Sequence, residues 1–290
     1  MTSDAHLSAD AAPLNGLKAA LLAGRRQIGL WSSMCSNVVA EVLAYAGYDW
    51  ILIDTEHAPN EPLDVLAQLQ ALATGTAEAV VRVAWNDPVL IKRLLDIGAR
   101  SLLVPFVQNA EEARAAVAAT RYPPQGVRGV SVAHRANRFG RVPDYLQNAA
   151  KGICVIAQIE TAAALEEIDA IATTDGVDGL FIGPSDLAAS LGYLGNLRHP
   201  EVQAAIAHAC ARAVSLGKPI GILAHTEAAA RRYFEMGYMF VAVGSDVGIL
   251  ANGSSSLAAR MREAIADSKH SSDMAAATAS ASYSRDRSAD

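Results

Sequence analysis

Trp50-Ile-Leu-Ile-Asp-Thr-Glu-His57 passes from an unbroken apolar run into a polar turn, and this pattern decides the fold class. An unbroken apolar run is typical of a parallel strand that helices cover on both faces. Similar runs recur along the chain, separated by segments with helical periodicity, as in repeated βα units. The eight predicted strands are Ile28 to Trp31, Trp50 to Asp54, Val80 to Val83, Leu102 to Phe106, Ile153 to Ile159, Leu180 to Ile182, Ile220 to Leu223 and Phe240 to Val243.

Eight βα units in a chain of 290 residues predict one closed (β/α)8 barrel. An open doubly wound sheet is less favoured because the chain lacks a Gly-x-Gly-x-x-Gly turn. We expect residues 16–267 to form this single domain, with a last helix around Leu257 to Ala266. Residues 1–15 and 268–290 are expected to be disordered tails, since their sequence is weakly apolar.

Composition and charge disfavour several classes of partner. The formal net charge is −6 and the pI is about 5.6, which disfavours binding to nucleic acid or to anionic lipid. The chain has neither a signal-peptide pattern nor an apolar run long enough to span a membrane, so we expect a cytoplasmic protein. Cys35, Cys154 and Cys210 are too far apart in sequence for a Cys-x-x-Cys metal pair.

Polar residues at the carboxyl ends of the predicted strands are the first candidates for a site, because barrel enzymes place their active sites there. They are Ser32, Ser33, Asp54, Glu56, His57, Arg82, Gln158, Glu160, Ser185, Asp186, His225, Ser245 and Asp246. Their number predicts one polar, acidic pocket at that end of the barrel.

Glu160 and Asp186 are the candidate metal ligands. Two carboxylates from different strands, with the other positions left to water and substrate, suit Mg²⁺ or Mn²⁺, whereas zinc would favour more His or Cys. Each residue also has a structural interpretation. Glu160 can cap the strand end beside Thr161, and Asp186 can be the N-cap of a helix that begins at Leu187. Spacing alone leaves both interpretations open.

His57 and Arg82 are candidates for proton transfer and for anion binding. Histidine has a reference pKa of about 6.5, so His57 is the natural proton acceptor in the pocket, with a purely structural histidine as the alternative. Arg82 interrupts an apolar strand, where an unpaired cation would be costly. It therefore requires an anion, either a substrate or a structural carboxylate.

The segment from Arg121 to Tyr145, between predicted strands four and five, is too long for an ordinary βα loop. It contains a basic cluster: Arg128, His134, Arg135, Arg138 and Arg141. Such a cluster suits a substrate carboxylate or a neighbouring subunit, with a solvated loop as the alternative.

Taken together, the motifs resemble those of the HpcH/HpaI aldolases, over about residues 28–248. They are Asp54-Thr-Glu-His-Ala-Pro-Asn60, Arg82, Ile91-Lys-Arg-Leu-Leu-Asp-Ile-Gly98, Gln158-Ile-Glu160, Gly183-Pro-Ser-Asp-Leu-Ala-Ala189 and Val243-Gly-Ser-Asp246. The resemblance implies a TIM barrel of the phosphoenolpyruvate/pyruvate-binding type. It also implies a class II, metal-dependent aldolase that forms homo-oligomers, commonly hexamers.

The resemblance assigns roles to individual residues. The implied base is His57, the cation that stabilises the enolate is Arg82, the ligands of Mg²⁺, Mn²⁺ or Co²⁺ are Glu160 and Asp186, and the substrate contacts are Arg82, Gln158 and Ser185. Asp96 is implied to tune His57. Helical periodicity indicates something different for Asp96, namely a surface ion pair with Lys92 or Arg93.

The expected reaction is the reversible cleavage of a 4-hydroxy-2-oxo acid to pyruvate and an aldehyde. The segment Arg128-Gly-Val-Ser-Val-Ala-His-Arg-Ala-Asn-Arg-Phe-Gly140 resembles the members that act on 2-dehydro-3-deoxyglucarate, for which the aldehyde is tartronate semialdehyde. For such a substrate, we expect the distal carboxylate to meet Arg or Ser residues of this insertion. The alternatives are a 4-hydroxy-2-oxoheptanedioate aldolase and a metal-dependent oxo-acid decarboxylase that uses the same site.

Overall fold

The computed structural model describes the backbone of residues 15–286 and the side chains of residues 15–266. Eight parallel strands close into a barrel in the order of the sequence, with β1 paired to both β2 and β8. The predicted (β/α)8 barrel is therefore confirmed. The predicted amino-terminal tail lies outside the described residues except for Asn15.

The strands agree closely with the eight predicted runs. They are β1 (Gln27–Ser32), β2 (Trp50–Asp54), β3 (Glu78–Arg82), β4 (Ser101–Val104), β5 (Cys154–Ile159), β6 (Gly179–Ile182), β7 (Ile220–Leu223) and β8 (Phe240–Ser245). The helices are α1 (Gly16–Leu22), α2 (Asn37–Ala44), α3 (Pro62–Leu72), α4 (Pro88–Asp96), α5 (Ala110–Thr120), α6 (Tyr145–Asn148), α7 (Ala162–Glu166), α8 (Ile168–Ala172), α9 (Pro184–Ser190), α10 (Pro200–Ser215), α11 (Glu227–Met236) and α12 (Asp246–Asp286). Two short 3₁₀ helices span Arg135–Asn137 and Ala149–Gly152.

Alternation along the strands separates two hydrophobic cores. In β2, Ile51 and Ile53 pack in the core between the barrel and its helices, while Trp50 and Leu52 pack in the barrel interior. Side chains two residues apart on a strand share a face, so the same phase directs Asp54 toward the interior at the carboxyl end. Strand phase therefore places polar side chains above an apolar interior.

The ends of α4 follow from local sequence signals. Asp87 is the N-cap, and its side chain accepts hydrogen bonds from the backbone N–H groups of Val89 and Leu90. Pro88 occupies the first helical position, where no N–H group is needed. After the helix, Gly98 has a φ of +106°, a conformation that favours glycine.

The basic segment lies at the amino end of the barrel. It follows α5, and in a βα unit the helix returns the chain from the carboxyl end of the strands to the amino end. Arg135 is accordingly packed beside Gly98, just before β4 begins. Within one chain, these arginines therefore lie at the end of the barrel opposite to the predicted pocket, and their contact with a substrate carboxylate stays a prediction.

The carboxyl-terminal part differs from the prediction. Two compact units are distinguished, one that ends at Asp246 and one that begins at Val247. The predicted helix around Leu257 to Ala266 is part of α12, which continues to Asp286 where disorder was expected. Alanine, the strongest helix former, is frequent after Met274 and favours this continuation. The domain boundary at residue 267 stays a prediction.

Among the helices that the structure describes, none combines the length and apolar character required to cross a membrane.

Candidate active site

Arg82 is held by a carboxylate on the neighbouring strand. Asp54 and Arg82 are register partners in β2 and β3, so both project from the same level of the barrel. The guanidinium donates from Nε to Oδ1 of Asp54 at 2.9 Å and from Nη2 to Oδ2 at 2.6 Å. Burial alone would raise the pKa of Asp54, but the hydrogen bonds and charge of Arg82 hold it below its usual range. Arg82 is therefore paired with a structural carboxylate, which is one of the two kinds of anion that the sequence left open for it.

An aromatic layer forms the floor beneath this ion pair. The guanidinium carbon of Arg82 lies 4.8 Å from the ring centre of Trp31, a cation–π distance. The indole Nε1 of Trp31 donates to Oδ2 of Asp54 at 3.1 Å. Trp31 packs in turn against Phe181, with ring centres 5.7 Å apart. The floor therefore orients both members of the ion pair and keeps water away from their lower side.

Glu56 is a member of the site whose role the sequence did not reveal. Its Oε2 lies 2.8 Å from Nη1 of Arg82, and its side chain is only 8% exposed. Burial, helped by the carboxylates of Asp54 and Asp186 and opposed by the charge of Arg82, raises the pKa of Glu56 to about 7. The sequence places Glu56 in the polar turn after β2, but this position does not show whether the carboxylate is buried or exposed.

Glu160 is fully buried and held in a fixed orientation. Its Oε1 accepts a hydrogen bond from the backbone N–H of Phe106 at 2.6 Å, and its Oε2 accepts one from the side chain of Gln158. Gly183 leaves room for this carboxylate, because a Cβ there would lie 2.5 Å from Oε2. Thr161, not Glu160, caps α7. The strand-end cap proposed as the alternative role of Glu160 is therefore excluded.

The charge balance of the site fits a divalent cation. Burial, helped by the nearby carboxylates of Glu56 and Asp186 and opposed by the hydrogen bonds from Gln158 and Phe106, raises the pKa of Glu160 to about 7. Asp186 lies within α9, whose N-cap is Gly183. The alternative interpretation of Asp186 as a helix N-cap is therefore excluded. Within residues 15–266, no group of three or more His, Cys, Asp or Glu side chains forms a metal site. A cation held by Glu160 and Asp186 would therefore take its remaining ligands from water and substrate.

We expect the metal-free protein to lose stability as the pH rises from about 5 to about 8. Folded Glu56 and Glu160 keep their protons up to a pH of about 7, whereas glutamate in an unfolded chain titrates near ~4.3. The folded state therefore binds more protons in this window, and its free energy of unfolding decreases with pH. Thermal unfolding with a chelator present measures this slope. Glu160→Gln, which cannot ionise, should flatten it, and an unchanged slope in that variant would contradict the assignment.

His57 and Ser185 lie at the mouth of the site. Both are exposed, His57 in the turn after β2 and Ser185 in the first turn of α9. Oδ1 of Asp54 anchors the turn by accepting the N–H of Glu56 at 3.0 Å and that of His57 at 3.4 Å. The backbone of His57 is thus fixed to the carboxylate that holds Arg82, while its imidazole is accessible to a substrate.

Asp96 lies elsewhere in the chain. It is the last residue of α4, which begins at the carboxyl end of the barrel and returns toward the amino end. Its Oδ1 accepts a hydrogen bond from Nη2 of the fully buried Arg128 at 2.6 Å. The ion pair is therefore with Arg128, not with Lys92 or Arg93 as helical periodicity indicated. Within one chain, the structure does not bring Asp96 to His57.

Asp246 joins the first and last strands at the carboxyl end. Its carboxylate accepts hydrogen bonds from the hydroxyl of Ser32 at 3.0 Å and from the backbone N–H groups of Ser33 and Met34 at 3.0 and 3.1 Å. The sequence had grouped Asp246 with the pocket residues. The structure gives it the role of fixing the turn after β1, the strand that also carries Trp31.

The fold and this site define an aldolase of the HpcH/HpaI family. Residues 27–253 match the model of the HpcH/HpaI aldolase/citrate lyase family, and the chain belongs to that family. It is therefore a lyase. The resemblance inferred from the motifs is confirmed.

The chain is 57% identical over 244 residues to the 5-keto-4-deoxy-D-glucarate aldolase of Enterobacter sp. (strain 638), which covers 84% of this chain and 95% of that protein. It is 56% identical over 247 residues to the 4-hydroxy-2-oxo-heptane-1,7-dioate aldolase of Salmonella dublin, covering 85% and 94%. The crystal structure of an HpcH/HpaI aldolase/citrate lyase family protein from Burkholderia cenocepacia J2315 has a TM-score of 0.83 at 45% identity, covering 86% of this chain and 99% of that one.

Proposed function

We propose that this aldolase depends on a divalent cation and cleaves 2-dehydro-3-deoxyglucarate to pyruvate and tartronate semialdehyde. The observation that carries the proposal is the buried arrangement of Arg82 with Asp54 and Glu56, next to the oriented carboxylate of Glu160. The relative from Enterobacter supports the substrate class. Numbered from its other carboxylate, a 5-keto-4-deoxy dicarboxylate is a 2-keto-3-deoxy dicarboxylate.

The residues of the site divide into a metal-binding pair and a charge-stabilising group. Glu160 and Asp186 would hold Mg²⁺, Mn²⁺ or Co²⁺, which acts as a Lewis acid on the 2-oxo group when bound. Gln158 and Ser185 would contact the substrate beside this pair. Arg82, already oriented by Asp54, donates hydrogen bonds to the oxygen that becomes negative, so little reorganisation is needed as charge develops.

Bond cleavage requires a base at the mouth of the site. His57 accepts the proton of the 4-hydroxyl group, and C4 becomes the carbonyl carbon of the departing aldehyde. The electron pair of the C3–C4 bond moves to the C2–C3 bond and gives the enolate of pyruvate. Protonation at C3 then completes pyruvate. The Asp96 role implied by the resemblance stays a prediction, since α4 places Asp96 away from His57 within one chain.

A direct assay tests the reaction. The metal-loaded protein is incubated with pyruvate and tartronate semialdehyde, and the products are identified by NMR. We expect a 4-hydroxy-2-oxo dicarboxylate to form, a chelator to abolish turnover, and borohydride with pyruvate to leave activity intact because no lysine Schiff base is formed. Borohydride inactivation or chelator-resistant turnover would refute the metal-dependent mechanism.

The second candidate function is cleavage of 4-hydroxy-2-oxoheptanedioate. It is favoured by the relative from Salmonella dublin, whose identity of 56% is almost the same as that of the first. Succinic semialdehyde in place of tartronate semialdehyde distinguishes the two substrates in the same assay. Oxaloacetate is included because a decarboxylase could use the same enolate-stabilising groups. The value of kcat/KM for each compound decides among the three.

Replacing the proposed base provides a separate test. His57→Gln should lower kcat by roughly 100-fold, which is near the lower end of the rate contributions made by general bases. The expected loss is at this end because water can reach this exposed position and partly replace the imidazole. His208→Gln, on α10, is the matched control and should keep full activity. A His57→Gln variant that keeps full kcat would show that another group is the base.

The state of the protein in solution stays a prediction. The resemblance implies a homo-oligomer, commonly a hexamer, and we expect the protein to act in the cytoplasm on a small oxo acid without a nucleic-acid partner. We also propose residues 16–267 as the catalytic domain. Light scattering of the purified full chain measures the subunit number.

A further inference from the structure

A cavity of about 690 Å³ lies at the amino end of the barrel. Its charged and polar walls are contributed by the start of β4, the start of β3 and the insertion after α5. The residues that give it chemical character are Glu78, Arg100, Arg135, Arg138, Arg141 and Tyr145. The volume is within the range of about 300–1,000 Å³ that is usual for sites of small molecules.

The walls carry more positive than negative charge. Of the described residues that line the cavity, four are arginines and only Glu78 is a carboxylate. Glu78 lies 3.7 Å from Arg100 and also accepts a hydrogen bond from the backbone N–H of Gly16, so it is already engaged. Arg135 donates from Nη1 to the carbonyl of Ile97. The described side chains that line the cavity therefore do not balance the charge of the insertion.

The turn that presents these arginines is held rigidly. Asn137 is buried, and its side-chain oxygen accepts hydrogen bonds from the backbone N–H groups of His134 and Gly140 at 3.0 and 2.9 Å. Its side-chain nitrogen donates to the carbonyl of Val132 at 2.9 Å. A ligand would meet arginines whose backbone is already in place, which lowers the entropy cost of binding.

The cavity is separate from the catalytic pocket. The catalytic pocket lies at the carboxyl ends of the strands and is acidic, whereas this cavity lies at the amino ends and is basic. Burial, together with the charge of Arg100, lowers the pKa of Arg135, so a bound anion would relieve repulsion between the two guanidinium groups.

We propose that this cavity is a second ligand site that binds a small dianion of the carboxylate or phosphate type. Planar guanidinium groups match the paired oxygens of both anions. The site could sense an acidic metabolite without using the catalytic residues.

Binding is tested on the metal-free full-length protein, in which the acidic catalytic pocket repels anions. Inorganic phosphate and malonate are titrated separately by calorimetry in chelator at constant ionic strength. We expect saturable binding of at least one anion. In Arg138→Gln with Arg141→Gln the Kd should rise about tenfold or more. The stronger of the two ligands identifies whether phosphate or carboxylate is preferred.

Two control variants test whether the anion binds in this cavity and not at another part of the protein. Arg114→Gln removes an exposed arginine of α5 outside the cavity, and Glu160→Gln alters the catalytic pocket; both should keep the original Kd. Circular dichroism verifies that the double variant is folded. Equal affinity in the double variant, or no saturable binding to the original protein, would overturn the proposal. A third result would also overturn it: neither anion binds the original protein, and light scattering shows that the double variant has lost subunits. The arginines would then serve a subunit contact.

Discussion

Glu160→Gln should lower kcat/KM by about 1,000-fold and weaken the binding of Mn²⁺. Glu160 is fully buried with both oxygens in defined hydrogen bonds, so the amide fits the space of the carboxylate but removes its charge. A Lewis acid contributes several kcal/mol to stabilising the charge of the transition state, and loss of about 4 kcal/mol corresponds to this change in rate. Equilibrium dialysis measures the metal, and the aldol assay measures the rate.

The control for this variant is Glu111→Gln, a glutamate on the exposed side of α5. It should keep both the metal affinity and the rate of the original protein. If Glu160→Gln binds Mn²⁺ normally but is inactive, Glu160 acts on the substrate and is not a metal ligand. If it keeps its activity, the metal site lies elsewhere and the proposed mechanism is wrong.

Arg82→Met should remove both activity and a large part of the stability. The side chain of Arg82 is 7% exposed and that of Asp54 is 2% exposed, so the substitution leaves buried carboxylates without their cation. Breaking a buried ion pair on one side costs roughly 3–5 kcal/mol. Loss of a preorganised donor to a developing oxyanion adds about a 1,000-fold decrease in kcat. Chemical denaturation and single-turnover kinetics measure the two effects.

Arg82→Lys separates the electrostatic from the structural role. Lysine keeps the positive charge but not the paired N–H donors that meet Asp54. We expect it to retain more stability than Arg82→Met while kcat stays strongly reduced. A lysine variant with nearly full activity would show that charge alone is sufficient, and that the fixed orientation of the guanidinium is not required.

The fold was predictable because strand and helix signals agree along most of the chain. Continuous apolar runs indicated the eight strands, and the limits of α4 coincide with ordinary sequence signals, Asp87-Pro88 at its start and Gly98 after its end. Members of the site were predictable for a related reason. The active site of a barrel lies where strands end, so position in the sequence selects its residues before any contact is known.

Contacts between strands were not predictable from the same signals. Asp54 was identified as a pocket residue, but its pairing with Arg82 depends on the register between β2 and β3, which a single sequence does not specify. Burial of Glu56 depends on how the turn after β2 folds over Arg82. The place of the basic insertion in the barrel follows from α5, which returns the chain to the amino end before the insertion begins.

The aromatic floor also gives the site an intrinsic tryptophan fluorescence signal. Its three tryptophans occupy different surroundings: Trp31 is in contact with Arg82, Trp50 is buried deeper in the barrel, and Trp85 is 55% exposed beside Phe106. An aqueous quencher such as iodide reaches Trp85 and leaves the buried indoles emitting. The remaining fluorescence then comes from the barrel interior, where Trp31 senses the field of the guanidinium above it. Occupancy of the site can therefore be followed in real time without a label or a coupled enzyme.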